Sequence, residues 1–397
     1  VAPGFFKQIL LITAFRLLLN TGRRFVYPFA PALSRTLDVP LTAVTTIIAT
    51  GQFTSLLGIF SGPLADRYGY RMMMRAGLAV LALGMLICGI APFYLTVFAG
   101  LVIASFGKTI FDPAIQAFVA NNVPYSRRGR MIGIIETAWA GSTLIGIPAL
   151  ALILDHIGFR NSFVLLAFLG ALSWFLMGFA VPPDGGMTVA GGPRQSFWAS
   201  MKQLVRIRPA AGMLAFAFWI SVANDSLFVV YGAWFEHAFA VSIVTLGFST
   251  IAIGSAELIG ESLTALFSDK IGLKRAVIIG LILATAAYIM LPLIGQNLGL
   301  AMFGLFLVFV SFEFTIVTSF SLCTEVIPGS RATMMAGYLA MAGVGRMTGV
   351  LAAGFVWDWA GIGGIAALSA LLSVFGLISL LWGLHGWSPQ APAVQNN

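Results

Sequence analysis

Long apolar runs, broken at intervals by proline, glycine and charge, leave this chain few ways to fold. They cover 5–33, 41–64, 72–93, 95–121, 130–154, 161–181, 210–235, 243–267, 275–296, 298–325, 332–357 and 363–384. A helix crossing a bilayer needs about 20 apolar residues. A backbone in lipid must satisfy its own hydrogen bonds, so runs of this length are helices. Strands of a membrane barrel alternate in polarity over about ten residues instead. The predicted fold class is therefore an all-α membrane protein with 12 transmembrane helices. Composition closes off the alternatives: 59% of residues are hydrophobic and only 9% charged, against about a quarter charged in a soluble domain. An ordinary soluble enzyme, a disordered chain and a nucleic-acid binder are excluded. Cys88 and Cys323 lie far apart in apolar runs and make neither a disulfide framework nor a metal site. The first run has Lys7 ahead of it, as a signal peptide would. Arg16, Arg23 and Arg24 interrupt it and no small-residue cleavage site follows, so it is expected to stay as the first span.

Lysine and arginine set the orientation. With the N-terminus in the cytoplasm, the cytoplasmic segments hold fifteen of them, from Lys7 through the Arg67, Arg71, Arg75 loop to Arg331. The opposite side holds Arg35 and Arg160. This is the positive-inside pattern, and it predicts both termini in the cytoplasm of a bacterial inner membrane. The widest break, 182–209, is rich in proline and glycine and then basic with spaced apolar residues. It reads as a flexible linker and a short amphipathic surface helix, dividing a six-span half at 1–181 from one at 210–384, with a tail at 385–397.

The halves repeat each other. GPLADRYGYR at 62–71 aligns with ALFSDKIGLK at 265–274, so Asp66 matches Asp269 and Gly69 matches Gly272. VPYSRRGRMIG at 123–133 aligns with IPGSRATMMAG at 327–337 in almost the same register. Parallel six-span repeats are a transporter architecture.

The segment 62–71 also resembles the loop pattern G-x-L-A-D-R-x-G-R-K of the major facilitator superfamily. Gly62, Leu64, Ala65, Asp66, Arg67, Gly69 and Arg71 match it, and Tyr70 replaces an arginine. The resemblance covers the whole chain and implies alternating-access transport of a small molecule by a monomer without a cofactor. It makes Gly62, Asp66, Arg67, Gly69, Arg71 and, in the second half, Asp269 conformational-loop residues rather than ligands of substrate. A weaker likeness, to the fifth-helix pattern of drug and metabolite proton antiporters, rests on Gly141, Gly146 and Pro148. Its Gly-Pro pair is split by Ile147, and helix packing with a kink at Pro148 explains the residues equally well.

Eleven ionisable residues fall inside the predicted spans: Arg16, Arg23, Arg24, Lys108, Asp112, Glu136, Asp225, Glu257, Glu261, Glu313 and Arg346. Each costs roughly 2.5–3.5 kcal/mol in mid-membrane and needs a wet cavity or a partner. The third, sixth, ninth and twelfth spans carry none in their interiors; those four are peripheral in the family. Counting about 1.5 Å per residue puts Arg16, Lys108, Asp225, Glu257, Glu313 and Arg346 near the midplane. Asp112, Glu136 and Glu261 come out nearer the cytoplasm, and Arg23 and Arg24 nearer the outside. Arg16, Asn20 and Arg24 share one helix face, as do Lys108 and Asp112, and Glu257 and Glu261.

Two readings of these charges stay open. In one, Arg16, Asn20, Arg24, Gln52, Lys108, Trp139, Asn224 and Arg346 bind a substrate with an anionic group, while Asp112, Glu136, Asp225, Glu257, Glu261 and Glu313 carry protons. In the other, Lys108 pairs with Asp112 and Arg346 with Glu257 or Glu313, merely neutralising one another. No phosphate-binding loop is present in the sequence, and buried acids suit proton coupling. The resulting expectation is a proton-coupled exporter of an anionic or zwitterionic drug or metabolite. An organic-anion/proton symporter is the alternative, and a membrane-embedded enzyme or a sensor on a transporter fold is the alternative of another class.

Overall fold

The computed structural model describes residues 3–57, 64, 68–123, 125–181, 206–327 and 331–387. Among these the chain is helical almost throughout. The first half contains α1 (Pro3–Arg24), α2 (Ala30–Leu37), α3 (Leu41–Phe53, continued by a tight turn to Leu57), α4 (Tyr70–Ile90), α5 (Tyr94–Asn122), α6 (Tyr125–Gly141) and α7 (Ile147–Ala180). The second contains α8 (Arg208–Phe239), α9 (Ile243–Ile271), α10 (Leu273–Ile294), α11 (Leu298–Val326) and α12 (Arg331–Gly383). Among the described residues eight helices are long and apolar enough to cross a membrane, or nine if Ala30–Leu37 and Leu41–Leu57, bent by 116°, form one broken span.

Three features separate this from the expected twelve. Helix α1 is not among the eight, because Arg16, Arg23 and Arg24 lower its hydropathy. And two of the eight are very long: Gly133–Phe179 has 47 residues and Met334–Gly383 has 50. Both contain a glycine in a backbone conformation no helix has, Gly158 (φ 72, ψ 174) and Gly361 (φ 56, ψ −153). A residue with a Cβ is excluded from that region.

Those breaks belong to a pattern. Asp38 and Ala240 cap α2 and α8 in the left-handed conformation. Gly69 (φ 88) and Gly272 (φ 89) precede α4 and α10. The pairs Asp38/Ala240, Gly69/Gly272 and Gly158/Gly361 recur at the spacing found from the loop sequences, so the repeat is written into the backbone. Between α6 and α7 the expected proline effect takes a definite form. Ser142–Gly146 is a π-helical turn running straight into Pro148, the local widening that accommodates a missing N–H.

Apolar side chains face outward on α4, the end of α7, α10 and the end of α12: Ile90, Phe168, Phe179, Leu293, Ile378 and Trp382 are all exposed. Polar and charged residues point inward, where Arg16, Asn20, Arg24, Gln52, Lys108, Asn224, Asp225, Glu257 and Glu313 are buried. This inside-out arrangement suits a hydrocarbon solvent.

The halves meet mainly at the end that carries Asp38 and Ala240. There Arg35 of α2 holds Glu236 of α8 at 2.5 Å. Gly232 rests against the Pro28 carbonyl, and Gly247 lies beside Ala151 and Phe29. Toward the other end, which carries Gly69 and Gly272, exposure rises: the Glu257 side chain is 4% exposed and that of Glu136 37%.

Candidate functional site

The buried charges sort into three groups and a remainder. The first joins the halves. Arg24, at the end of α1, reaches Glu257 of α9 at 2.5 Å. Glu257 also accepts from Trp139 Nε1 at 3.1 Å and from Thr143 Oγ1 at 2.8 Å. Arg24 lies over the Trp139 ring at 4.0 Å and donates to the Trp139 carbonyl and to Ser142 Oγ. The π-turn after α6 places Thr143 and Ser142 to make these bonds. The pair is buried and well bonded, as a buried pair must be, with only the Arg24 Nε left without a partner.

The second group is internal to the first half. Arg16 bonds Asp112 at 3.0 Å and Glu136 at 2.9 Å, and Lys108 bonds Asp112 at 2.5 Å. Two cations face two carboxylates and the group closes on itself. Asn20 donates to the Ala138 carbonyl beside it. Lys108 also lies 5.4 Å from the Trp139 ring, so that indole stands between the two groups.

The third group lies on the opposite side of α1. Arg23 donates to Gln52 Oε1 and Ser55 Oγ, both at 2.7 Å. Gln52 donates to Tyr27 OH, and Tyr27 donates to Asp225 Oδ1 at 3.3 Å. Asn224, next to it, is buried with its Oδ1 unpartnered. A cavity of about 20 Å³, room for one water molecule, is lined by Arg23, Tyr27, Gln52 and Ser105.

Three ionisable residues remain. Among the described residues Glu313 and Glu261 have no ion-pair partner. Glu313 is packed on Gly260, where a Cβ would stand 2.7 Å from its own, and so lies between Glu257 and Glu261 along α9. Arg346 likewise has no ion pair, and its Nε is buried without a partner.

Two expectations change. Arg346 pairs with neither Glu257 nor Glu313, because Arg24 already occupies Glu257. And Arg24 belongs level with Glu257, not toward one face, because the helices do not all begin at the same depth. The Lys108–Asp112 pair is present. Of the loop residues, Gly62, Asp66 and Arg67 lie outside the described residues, Arg71 donates to the Gly178 carbonyl, and Asp269 is exposed. Sequence reasoning did not single out Ser55 or Thr143; short hydroxyls in apolar helices give no signal of their own.

A sequence model of the Major Facilitator Superfamily matches residues 12–255. The chain belongs to the Major Facilitator Superfamily. It is an integral membrane transporter, not an enzyme. Among relatives of this facilitator, an MFS-type transporter of Bacillus subtilis, YceJ, is 24% identical over 81% of this chain and 82% of its own. A multi-drug resistance efflux pump PmrA homolog of Lactococcus lactis is 24% identical over 81% and 79%. The facilitator's fold is also that of a bacterial homolog of the human lysosomal transporter Spinster, in an inward-facing and unoccupied conformation (TM-score 0.76, 16% identity, 98% of this chain and 100% of that one). A POT family transporter superposes equally well, with a TM-score of 0.78 at 15% identity over 94% and 95%.

Proposed function

We propose that this transporter exports a small organic zwitterion in exchange for protons. In this reading it works as a monomer in a bacterial inner membrane, through twelve spans in halves at 1–181 and 210–384 joined by 182–209. Gly158 and Gly361 then separate the fifth span from the sixth and the eleventh from the twelfth. A 50-residue helix would be about 75 Å long, more than twice the hydrocarbon thickness. Positive-inside counting makes the Gly272 end cytoplasmic, so the closed Asp38 end faces outward.

The observation that carries the reading is the Arg24–Glu257 pair between halves, with Glu313 uncompensated one helix away. With Glu257 ionised, the pair ties α1 to α9. A proton on Glu257 removes that tie and frees the halves to rock about it. A cationic group on the substrate needs an ionised carboxylate, so it competes with protons for Glu313 and Glu257. Competition at one site is what exchange requires. Relatives named as multidrug resistance proteins support the export direction. Arg16, Lys108, Asp112 and Glu136 become a scaffold in this account. A substrate with an anionic group alone would not displace the proton and would travel with it, which is the organic-anion symport.

Everted membrane vesicles with an acid interior, read by acridine orange, test this. Addition of zwitterions is expected to discharge the pH gradient, and Glu257→Gln or Glu313→Gln to abolish the discharge. Discharge by lipophilic cations alone would make the protein a cation exporter, and no discharge by any class would remove proton exchange.

A further inference from the structure

The third group of charges does not balance, and this sets it apart from the other two. Arg23 bonds only neutral acceptors, Gln52 and Ser55, and Arg346 bonds nothing among the described residues. They stand on opposite halves yet belong to one locality. Gly343, one turn before Arg346 on α12, faces Ser55 and Leu56, and Ser55 is the residue that holds Arg23. Each guanidinium is within electrostatic reach of the other and of Asp225. Asp225 is the one acid hydrogen-bonded into this group, through Tyr27; Asp112 acts on Arg23 and Glu313 on Arg346 only from farther off. Among the described residues neither guanidinium has a carboxylate in direct contact, so the two cations and Asp225 leave one positive charge without a contacting partner.

A surplus cation in a membrane interior is costly, and two guanidiniums within electrostatic reach repel. One bound monoanion would neutralise the locality and replace repulsion between the halves by a bridge. Guanidinium forks fit carboxylates in two-point geometry. Arg24, Arg16 and Lys108 are instead each already neutralised by a carboxylate of the protein in direct contact, although the Arg24 Nε itself has no partner.

We infer that the anionic group of the substrate, a carboxylate or a comparable monoanion, is held between Arg23 and Arg346, with the Tyr27 hydroxyl and the Gln52 amide beside it, and not at Arg24. This rests on the transporter reading above and assigns its anion site. The surplus negative charge of Glu313 and Glu261, beyond the Arg24–Glu257 pair, would then be the complementary pole for a cationic end.

Thermal unfolding of the detergent-purified full chain with benzoate, and with benzamide as its uncharged isostere, tests the assignment. Benzoate at about 20 mM is expected to raise the melting temperature by about 2 °C or more through preferential binding to the folded state, and benzamide to leave it unchanged. Arg23→Gln and Arg346→Gln should each lose the benzoate shift. Arg23→Lys and Arg346→Lys, which keep the charge, should retain part of it and serve if a glutamine variant does not fold. The double variant Arg24→Gln/Glu257→Gln, which removes that pair without stranding a charge, should keep the shift while losing proton exchange in vesicles. No benzoate effect on the wild type, an equal effect of benzamide, a shift that survives Arg23→Gln and Arg346→Gln, or its loss in the Arg24/Glu257 double variant would each overturn the assignment. Absence of proton exchange in the wild type, with an intact benzoate response, would instead count against the exchange reading alone.

Discussion

Arg24 and Glu257 are 5% and 4% exposed in their side chains, so neither can turn to water if the other is removed. Glu257→Gln is therefore expected to cost about 3–5 kcal/mol, the usual cost of stranding a buried charge. The Arg24→Gln/Glu257→Gln double variant should recover most of that, as read from thermal unfolding in detergent. In the Arg16 group the same logic gives an order. Asp112→Asn strips Lys108 of its carboxylate and Arg16 of one of two, whereas Glu136→Gln removes a partner that is 37% exposed. The first should lower the melting temperature more than the second. Which residues carry charge in the membrane was legible in the sequence, and so were the short-range pairs such as Lys108 with Asp112. The partner of Arg24 lies 233 residues away. Helix rotation and relative depth choose it, and neither leaves a mark in one sequence.

The helices themselves were legible as apolar runs, with one exception of degree. Helix α1 is too charged to pass as a span by hydropathy, since its polar face is turned to the interior. The breaks at Gly158 and Gly361 fall in the gaps read between runs, but their geometry did not follow from composition, because glycine is common throughout the chain. Both sit in a region reserved for glycine, so Gly158→Ala and Gly361→Ala should each destabilise by about 1–3 kcal/mol. Gly133 in α6 is the contrast: nothing lies within 4 Å of its would-be Cβ and its φ is helical. Gly133→Ala should be neutral or stabilising by up to about 1 kcal/mol. Paired melting curves of the three variants check this.

At the scale of the molecule, the contact that closes the Asp38 end includes an exposed ion pair, with the Arg35 side chain 63% accessible. Exposed pairs contribute about 0.2–1 kcal/mol, enough to change a two-state population up to about fivefold and no more. Arg35→Gln should therefore widen this end modestly. Spin labels at Thr36→Cys and Ser242→Cys would show it as growth of a longer-distance population in pulsed dipolar spectra, with Cys88 and Cys323 buried and silent. A change to one fully open state would mean that Arg35–Glu236 is the main fastening rather than one of several. The recurrence of backbone breaks at Asp38/Ala240, Gly69/Gly272 and Gly158/Gly361 was legible from the loop repeat. The closed end was not, because it depends on where the halves touch rather than on either half's own pattern.

Arg23 and Arg24 are neighbours in sequence, about 3.8 Å apart at Cα, yet one looks toward α3 and α12 and the other toward α6 and α9. Whatever happens to one guanidinium is felt by the other through a single peptide unit, with no relay of intervening side chains. Under the proposed proton exchange and anion site, coupling between proton and cargo would become a matter of angular phase along α1: a roll of this helix that slackens one grip would tighten or misalign the other. The first helix would act as the crank of the machine, and its pitch as the setting that keeps the two strokes in time.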